Sequence, residues 1–381
     1  MIAPVIPDID PKTQLRTGIE IKLATPADDD ELRELLRRSP IPGPISVTFE
    51  REPSFYNSCR ARGDCFQVAI GRDRQSGTII GLGTRSLALG FVNGKEMSLG
   101  YLADLRLKQQ YRGGILVARG YRFLRHLHAD RRTRLYTTVI FNDNHTAHAT
   151  IASGRAGLPR YQDQGLIHCP GINIRSAQPP VGAEGRIVRG SKELLPAIIE
   201  CLNRNNCRRQ FAPVHTSEMF HNRWLDFRLE DFHVAMRGSK VVGVIGCWDQ
   251  GSFKQTRVAA YSNRLRWMIP LANALRPFTK APRYPKVGDE VAYFYISFIA
   301  IDGDDLQIFR ALLRSAYNSA VGGRCMYAMI ALHERDPFLP ALRDYSLTPF
   351  FARLFCVSFD DGNDLVRSLD GRVPHVEAAT L

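Results

Sequence analysis

Residues 102–117 read Leu-Ala-Asp-Leu-Arg-Leu-Lys-Gln-Gln-Tyr-Arg-Gly-Gly-Ile-Leu-Val, and the fold is decided here. The run from Tyr101 to Leu107 has the alternation of a strand. It enters a polar loop, Lys108 to Gly114, and the spacing beyond predicts an amphipathic helix over Ile115 to His128. A second strand, Leu135 to Phe141, follows. A strand, helix and strand of this length imply a right-handed crossover between locally parallel strands.

The same unit recurs about one domain length later, as strand Tyr293 to Ile301, helix Leu306 to Ala320 and strand Cys325 to Leu332. Two further pieces repeat in the same order. A strand and capped helix, Ile19 to Leu23 then Thr25 to Arg38, match Arg186 to Arg189 then Ser191 to Asn203. Thr25 suits an N-cap, Pro26 the first helical position, and Asp28 to Glu31 the positive end of the helix dipole. A hairpin, Phe66 to Ile70 with Ile79 to Gly83, matches Phe232 to Met236 with Val241 to Gly246. Each half therefore reads as an α/β unit with a mixed, mostly antiparallel sheet and one parallel βαβ crossover, and the chain as two tandem copies. The expected boundaries are an extension over 1–18, a first domain over 19–175, a linker over 176–185, a second domain over 186–360 and a tail over 361–381. A proline-rich stretch, Arg276 to Gly288, is expected as a long loop inside the second copy.

Composition agrees with two ordinary domains. The chain has 381 residues, 44% hydrophobic and 23% charged. No stretch is long and apolar enough for a membrane span. Asp8 and Asp10 stand where a secretory signal carries basic residues, so a cytoplasmic location is expected. Eight cysteines without paired metal spacings read as reduced thiols. The net charge of +13 suits an anionic partner: nucleic acid, an acidic membrane surface or cofactor phosphates. No nucleic-acid-binding motif accompanies the charge, which argues against nucleic acid. Self-association as a homodimer is left open.

The order of elements resembles the GNAT superfamily of N-acyltransferases. The family's cofactor segment is a strand, a loop of the kind Q/R-x-x-G-x-G/A and a helix. Leu102 to Leu107, Lys108 to Gly114 and the helix from Ile115 follow that order, and Tyr111-Arg112-Gly113 is especially similar. Downstream, Asn144-His145-Thr146-Ala147 after a strand, and Gly157-Leu158-Pro159-Arg160-Tyr161, are similar to the family's next segments. The likeness extends over 19–175 through motifs and over 186–360 through fold order. It implies acetyl-CoA or another acyl-CoA as cofactor, held by Leu105, Arg106, Leu107, Gln110, Tyr111, Arg112, Gly113, Gly114, Ile115, Leu116, Val117, Asn144 and Ala147. Physical logic supports the loop: backbone N–H groups at a helix start cradle a pyrophosphate, and glycines allow close approach. The family pattern has small residues where this chain has Ile115 and Val117.

By the resemblance, an amine attacks the acyl thioester directly, a base takes the ammonium proton, and an acid protonates the departing thiolate. Asp104 is the first candidate base, with a structural carboxylate paired to Arg106 or Arg122 as the alternative. The acid is often a tyrosine, and its position falls on Ile151, so Ser153 or Tyr161 would have to substitute. His126 with His128, and His145 with His148, read as helix-surface histidines, and Cys65 and Cys169 lack the neighbours of a catalytic thiol. In the second copy, Asp302-Gly303-Asp304-Asp305 stands where a phosphate would need donors. Carboxylates there repel an anion or cap the helix, so that copy is expected to be degenerate for CoA. Besides an N-acyltransferase with an unknown amine acceptor, a non-catalytic CoA-binding or scaffold protein fits these residues.

Overall fold

A computed structural model describes residues 18–63, 65–112, 115–151, 158–182, 184–275 and 284–381. In the first half, strand β1 (Ile19–Leu23) leads to helix α1 (Asp29–Arg37), strand β2 (Ile45–Glu50) and helix α2 (Phe55–Arg60). Strands β3 (Cys65–Asp73), β4 (Ile79–Val92) and β5 (Lys95–Leu107) form a meander. Helix α3 (Ile115–His128) crosses to β6 (Tyr136–Phe141), followed by helix α4 (His145–Ile151), β7 (Arg160–His168) and β8 (Gly171–Asn173). The second half repeats this plan with β9 (Arg186–Arg189), α5 (Leu195–Asn206), α6 (Ser217–Asn222), β10 (Phe232–Arg237), β11 (Lys240–Trp248), β12 (Gln255–Tyr261) and α7 (Asn263–Ala274). It ends with β13 (Tyr293–Ile301), α8 (Leu306–Ala320), β14 (Tyr327–Met329), β15 (Leu332–His333), β16 (Leu347–Thr348), β17 (Phe351–Ser358) and α9 (Asn363–Arg367).

Apolar spacing explains the helix placement. Leu32, Leu35 and Leu36 line one side of α1 and are buried against Val68, Ile70 and Leu82 of the sheet. Ile308, Leu312 and Leu313 of α8 do the same against Ile245, Phe294 and Ile296. The expected crossovers are present. β5 pairs parallel with β6, and β13 with β14, while the other principal ladders are antiparallel.

The sheets do not respect the chain's midpoint. One sheet has the order β1-β3-β4-β5-β6-β17-β7-β15, and the other β16-β8-β14-β13-β11-β10-β9. Strand β17, from the second half, lies between β6 and β7 of the first, with Phe355 opposite Thr138 on one side and Asp163 on the other. In return, β8 from the first half lies between β14 and β16. The divisions 19–175 and 186–360 therefore follow the chain but not the sheets. Residues 361–381, expected as a tail, carry buried Val366, Val376, Glu377, Ala378 and Ala379. Strands β2 and β12 form a separate two-stranded ribbon, with Glu50 opposite Gln255, that joins the halves again.

Candidate active site between the two halves

Strand β5 is the centre of the site. Its parallel pairing with β6 is confined to Gly100 with Tyr136 and Tyr101 with Thr137. Beyond these, Thr138 Oγ1 still donates to Leu102 O at 2.8 Å, and then the strands part. A Cβ on Gly100 would lie 2.1 Å from the Tyr136 ring, so glycine is what lets the strands meet at the closed end. The divergence coincides with a bulge. The β4–β5 register shifts between Leu82 and Thr84, and Asp104 takes φ +55°, a left-handed conformation uncommon for a side-chain-bearing residue. The gap past the bulge has apolar walls: Leu105 is 52% and Phe141 38% exposed. Phe49 from the ribbon stacks on Phe141 at 6.5 Å between ring centres.

Inward of the bulge lies a buried group of charges. Arg62 forms a two-pronged ion pair with Asp104, Arg51 Nη2 stands 3.7 Å from its carboxylate, and Thr84 Oγ1 donates to it at 3.3 Å. Burial would raise the Asp104 pKa, but Arg62 and Arg51 outweigh it and hold the carboxyl well below its usual range. A carboxylate so held is a weak proton acceptor at neutral pH. The bulge breaks strand alternation, which is why its partners are Arg62 and Arg51 rather than the expected Arg106 or Arg122. Lys254, from the second half, donates to Ala379 O at 3.2 Å and Leu381 O at 3.0 Å, and its ammonium lies 5.4 Å from the Tyr295 ring centre. Burial, with Arg51 and Arg62 nearby, pushes its pKa well below the ordinary lysine value.

The remaining sequence-predicted residues spread along the same edge. Arg106 Nη1 donates to Leu105 O at 3.0 Å, and Arg112 Nε to Leu107 O at 3.3 Å. Gln110 and Arg112 are exposed, whereas Tyr111 is pinned to β3 by its hydroxyl, 2.8 Å from Asp73 Oδ2. Gly113, Gly114 and Ser153 lie outside the described residues, as do the side chains of Ile115 and Ile151. Leu116 is buried in the core with Ile21, Ile80, Phe123 and Leu127, and Val117 is half-buried. Asn144 caps α4, accepting from Ala147 N at 3.1 Å. Tyr161 shares a hydroxyl hydrogen bond with Tyr121 of α3 and packs edge-on against Phe355. Burial holds its pKa well above the usual phenol value, so it keeps its proton. His148 reaches Phe141 O at 3.1 Å, and His128 bridges Tyr136 and Asp361. Arg51, Arg62, Lys254 and Glu377 escaped the sequence reading, because only the fold brings 51, 62, 254 and 377 near 104 and 298.

The second half repeats the bulge with other occupants. The β11–β13 register shifts between Val244 and Gly246, and Phe298 takes φ +54°. Its N–H donates to Glu377 Oε2 at 2.9 Å, and its ring is buried among Phe220, Trp224, Phe227, Phe232 and Trp248. At the start of α8, Asp305 caps Gln307 N and Ile308 N at 2.9 and 3.2 Å. Asp302 pairs with Arg204, and Asp304 with Arg208 and Arg209. The acidic triplet is thus one helix cap and two ion-paired carboxylates.

Two sheets, each with a bulged strand diverging after a short parallel pairing, define a two-lobe GNAT fold. The chain is similar to Saccharomyces cerevisiae N-myristoyltransferase with bound myristoyl-CoA (TM-score 0.63, 10% identity, 94% of this chain and 90% of that one). It is also similar to a GCN5-related glucosamine N-acetyltransferase region of a fungal multi-domain GH3 β-N-acetylglucosaminidase (TM-score 0.58, 13% identity, 89% of this chain and 38% of that one). A third likeness is to a GCN5-related N-acetyltransferase from Anabaena variabilis (TM-score 0.50, 12% identity, 89% and 72%). No protein-family model matches the sequence, and no curated protein matches it.

Proposed function

We propose that the first half binds an acyl-CoA across the gap between β5 and β6 and transfers the acyl group to an amine. The observation that carries this reading is the bulge at Asp104 where the two strands part. The strand edge at exposed Leu105 and half-buried Arg106 and Leu107 offers backbone groups to the pantetheine arm, between the apolar walls of Leu105 and Phe141. The pyrophosphate is assigned to Gln110, Tyr111 and Arg112 and the start of α3, together with Gly113, Gly114, Ile115, Leu116 and Val117 of the same motif. Asn144 and Ala147 bring α4 beside the arm.

In the transfer, the amine nitrogen bonds to the thioester carbonyl carbon, the C–S bond breaks, and the ammonium proton is lost to a base. Asp104 serves by its buried pairing with Arg62 and Arg51, which fixes the bulge and so holds the β5 backbone open beside the reacting carbonyl. Tyr161, protonated and buried, and Ser153 are the candidate donors to the leaving thiolate. Eight cysteines without a disulfide fit a reducing, cytoplasmic setting. Calorimetry with CoA, acetyl-CoA and longer acyl-CoAs tests the proposal, and no binding at millimolar cofactor ends it.

A second reading is favoured by the ion-paired state of Asp104: a GNAT-like protein that binds CoA without turning it over. Thiol release from acyl-CoA that depends on an added amine excludes it.

A further inference from the structure

Helix α7 (Asn263–Ala274) has its apolar residues on the wrong side for a surface helix. Leu265, Ile269 and Ala272, on the opposite side, are half-buried. Its outward side, where water should meet polar groups, carries Trp267 at 85% exposure, Met268 at 55%, Leu271 at 66% and, just beyond its end, Leu275 at 44%. These positions recur at helical spacing, so they form one continuous stripe. Val287, close by in sequence, is 61% exposed. Lone exposed apolar residues are ordinary, but a stripe headed by a tryptophan marks a contact surface.

The charge around the stripe selects the occupant. From Ser262 to Gly288 the sequence holds Arg264, Arg266, Arg276, Lys280, Arg283 and Lys286, and no Asp or Glu. Arg264 and Arg266 are exposed on the helix itself. A second copy of the chain laid on the stripe would bring the exposed Arg264 and Arg266 of each copy together. Nucleic acid would leave Trp267, Met268 and Leu271 without an apolar environment. An anionic lipid surface satisfies both features: the apolar side enters the headgroup boundary, and the basic groups meet lipid phosphates. Among the described residues no helix is long and apolar enough to cross a membrane. We propose that α7 seats the protein peripherally on anionic membranes, with Trp267 and Leu271 as apolar anchors and Arg264 and Arg266 as its exposed charges.

The seat lies next to the cleft. Helix α7 follows β12 of the ribbon directly, and Ser262 N donates to Pro44 O, just before β2, at 2.9 Å. Tyr261 OH donates to Pro285 O at 2.6 Å, tying Pro285 to the ribbon's end. The same ribbon supplies Phe49 to the gap and Arg51 to Asp104.

The test uses the full chain with vesicles of phosphatidylcholine alone and of phosphatidylcholine with a third phosphatidylglycerol. Trp224 and Trp248 are buried, so a change in tryptophan emission on mixing reports Trp267. The expected result is a blue shift and co-sedimentation with anionic vesicles, weakened about tenfold or more by neutral lipid or high salt. Trp267→Ser with Leu271→Ser should lower partitioning by a similar factor without moving the unfolding midpoint, since both side chains are exposed. Arg264→Glu with Arg266→Glu should do so through charge alone. Absence of partitioning overturns the proposal, as does equal partitioning by the apolar variant. So does a dimer in light scattering that the apolar variant abolishes, because a second copy then covers the stripe.

Discussion

Asp104 and Phe298 stand in corresponding places in the two halves, three residues beyond Tyr101 and Tyr295, at φ +55° and +54°. Each costs roughly 1–2 kcal/mol of backbone strain, and both halves retain it. Their surroundings differ in kind. The first bulge is ringed by guanidinium groups and opens on a gap with exposed Leu105. The second is sealed, its N–H taken by Glu377 and its ring packed among five aromatic side chains. The two carboxylates are driven in opposite directions. Asp104 is held ionised by its cations, and burial pushes Glu377 up to about 7. The bulge is thus a property of the architecture. Whether it serves a ligand depends on what the rest of the chain places against it.

The sharpest way to break the contrast is Arg62→Met. It leaves Asp104 buried with Arg51 at 3.7 Å as its remaining close cation and should cost about 3–5 kcal/mol in urea unfolding. A loss below about 1 kcal/mol would remove the ion pair as the frame of the first site. The sign for Asp104 is that of a depressed carboxyl: its contribution is present at neutral pH and lost as pH falls through its folded pKa.

Glu377→Gln comes next. A raised carboxyl binds its proton more tightly in the folded state, so stability falls as pH rises from about 4.5 to about 7. The span corresponds to about 3 kcal/mol, which the amide variant should abolish in unfolding measured across that range. An unchanged pH dependence would mean that Glu377 is not the titrating group.

Smaller effects separate cofactor from core. Leu105→Asp should weaken acetyl-CoA binding about tenfold in calorimetry while leaving the unfolding midpoint in place, because Leu105 is half exposed. The corresponding Ile299→Asp should do the reverse, since Ile299 packs against the second core. Smallest is Asp305→Ala, which removes the α8 cap and should cost about 1 kcal/mol of stability with no change in CoA affinity.

Much of the fold was legible because its signals are local. The hairpins, both crossovers and the acidic cap of α8 follow from periodicity and capping within short windows. The bulge was not legible: the run Leu102 to Leu107 alternates cleanly, and nothing local announces that Asp104 breaks it. The partners of Asp104 were hidden for a different reason. Arg51 and Arg62 lie in a loop and helix end whose position depends on the ribbon, and that ribbon forms only when residue 50 meets residue 255. The pairing of β17 with β6 and β7 has the same character, since a short apolar strand does not say which sheet receives it.

That exchange sets an order of events during synthesis. The first sheet lacks its strand between β6 and β7 until residues 351–358 have left the ribosome, long after β7 itself. Until then β6 and β7 carry open edges, and such edges invite pairing with other chains. Few of the contacts that finish the sheet are close in sequence, so completion is expected to be slow. A fragment ending near residue 175 would therefore be a nascent chain arrested before closure rather than a small enzyme.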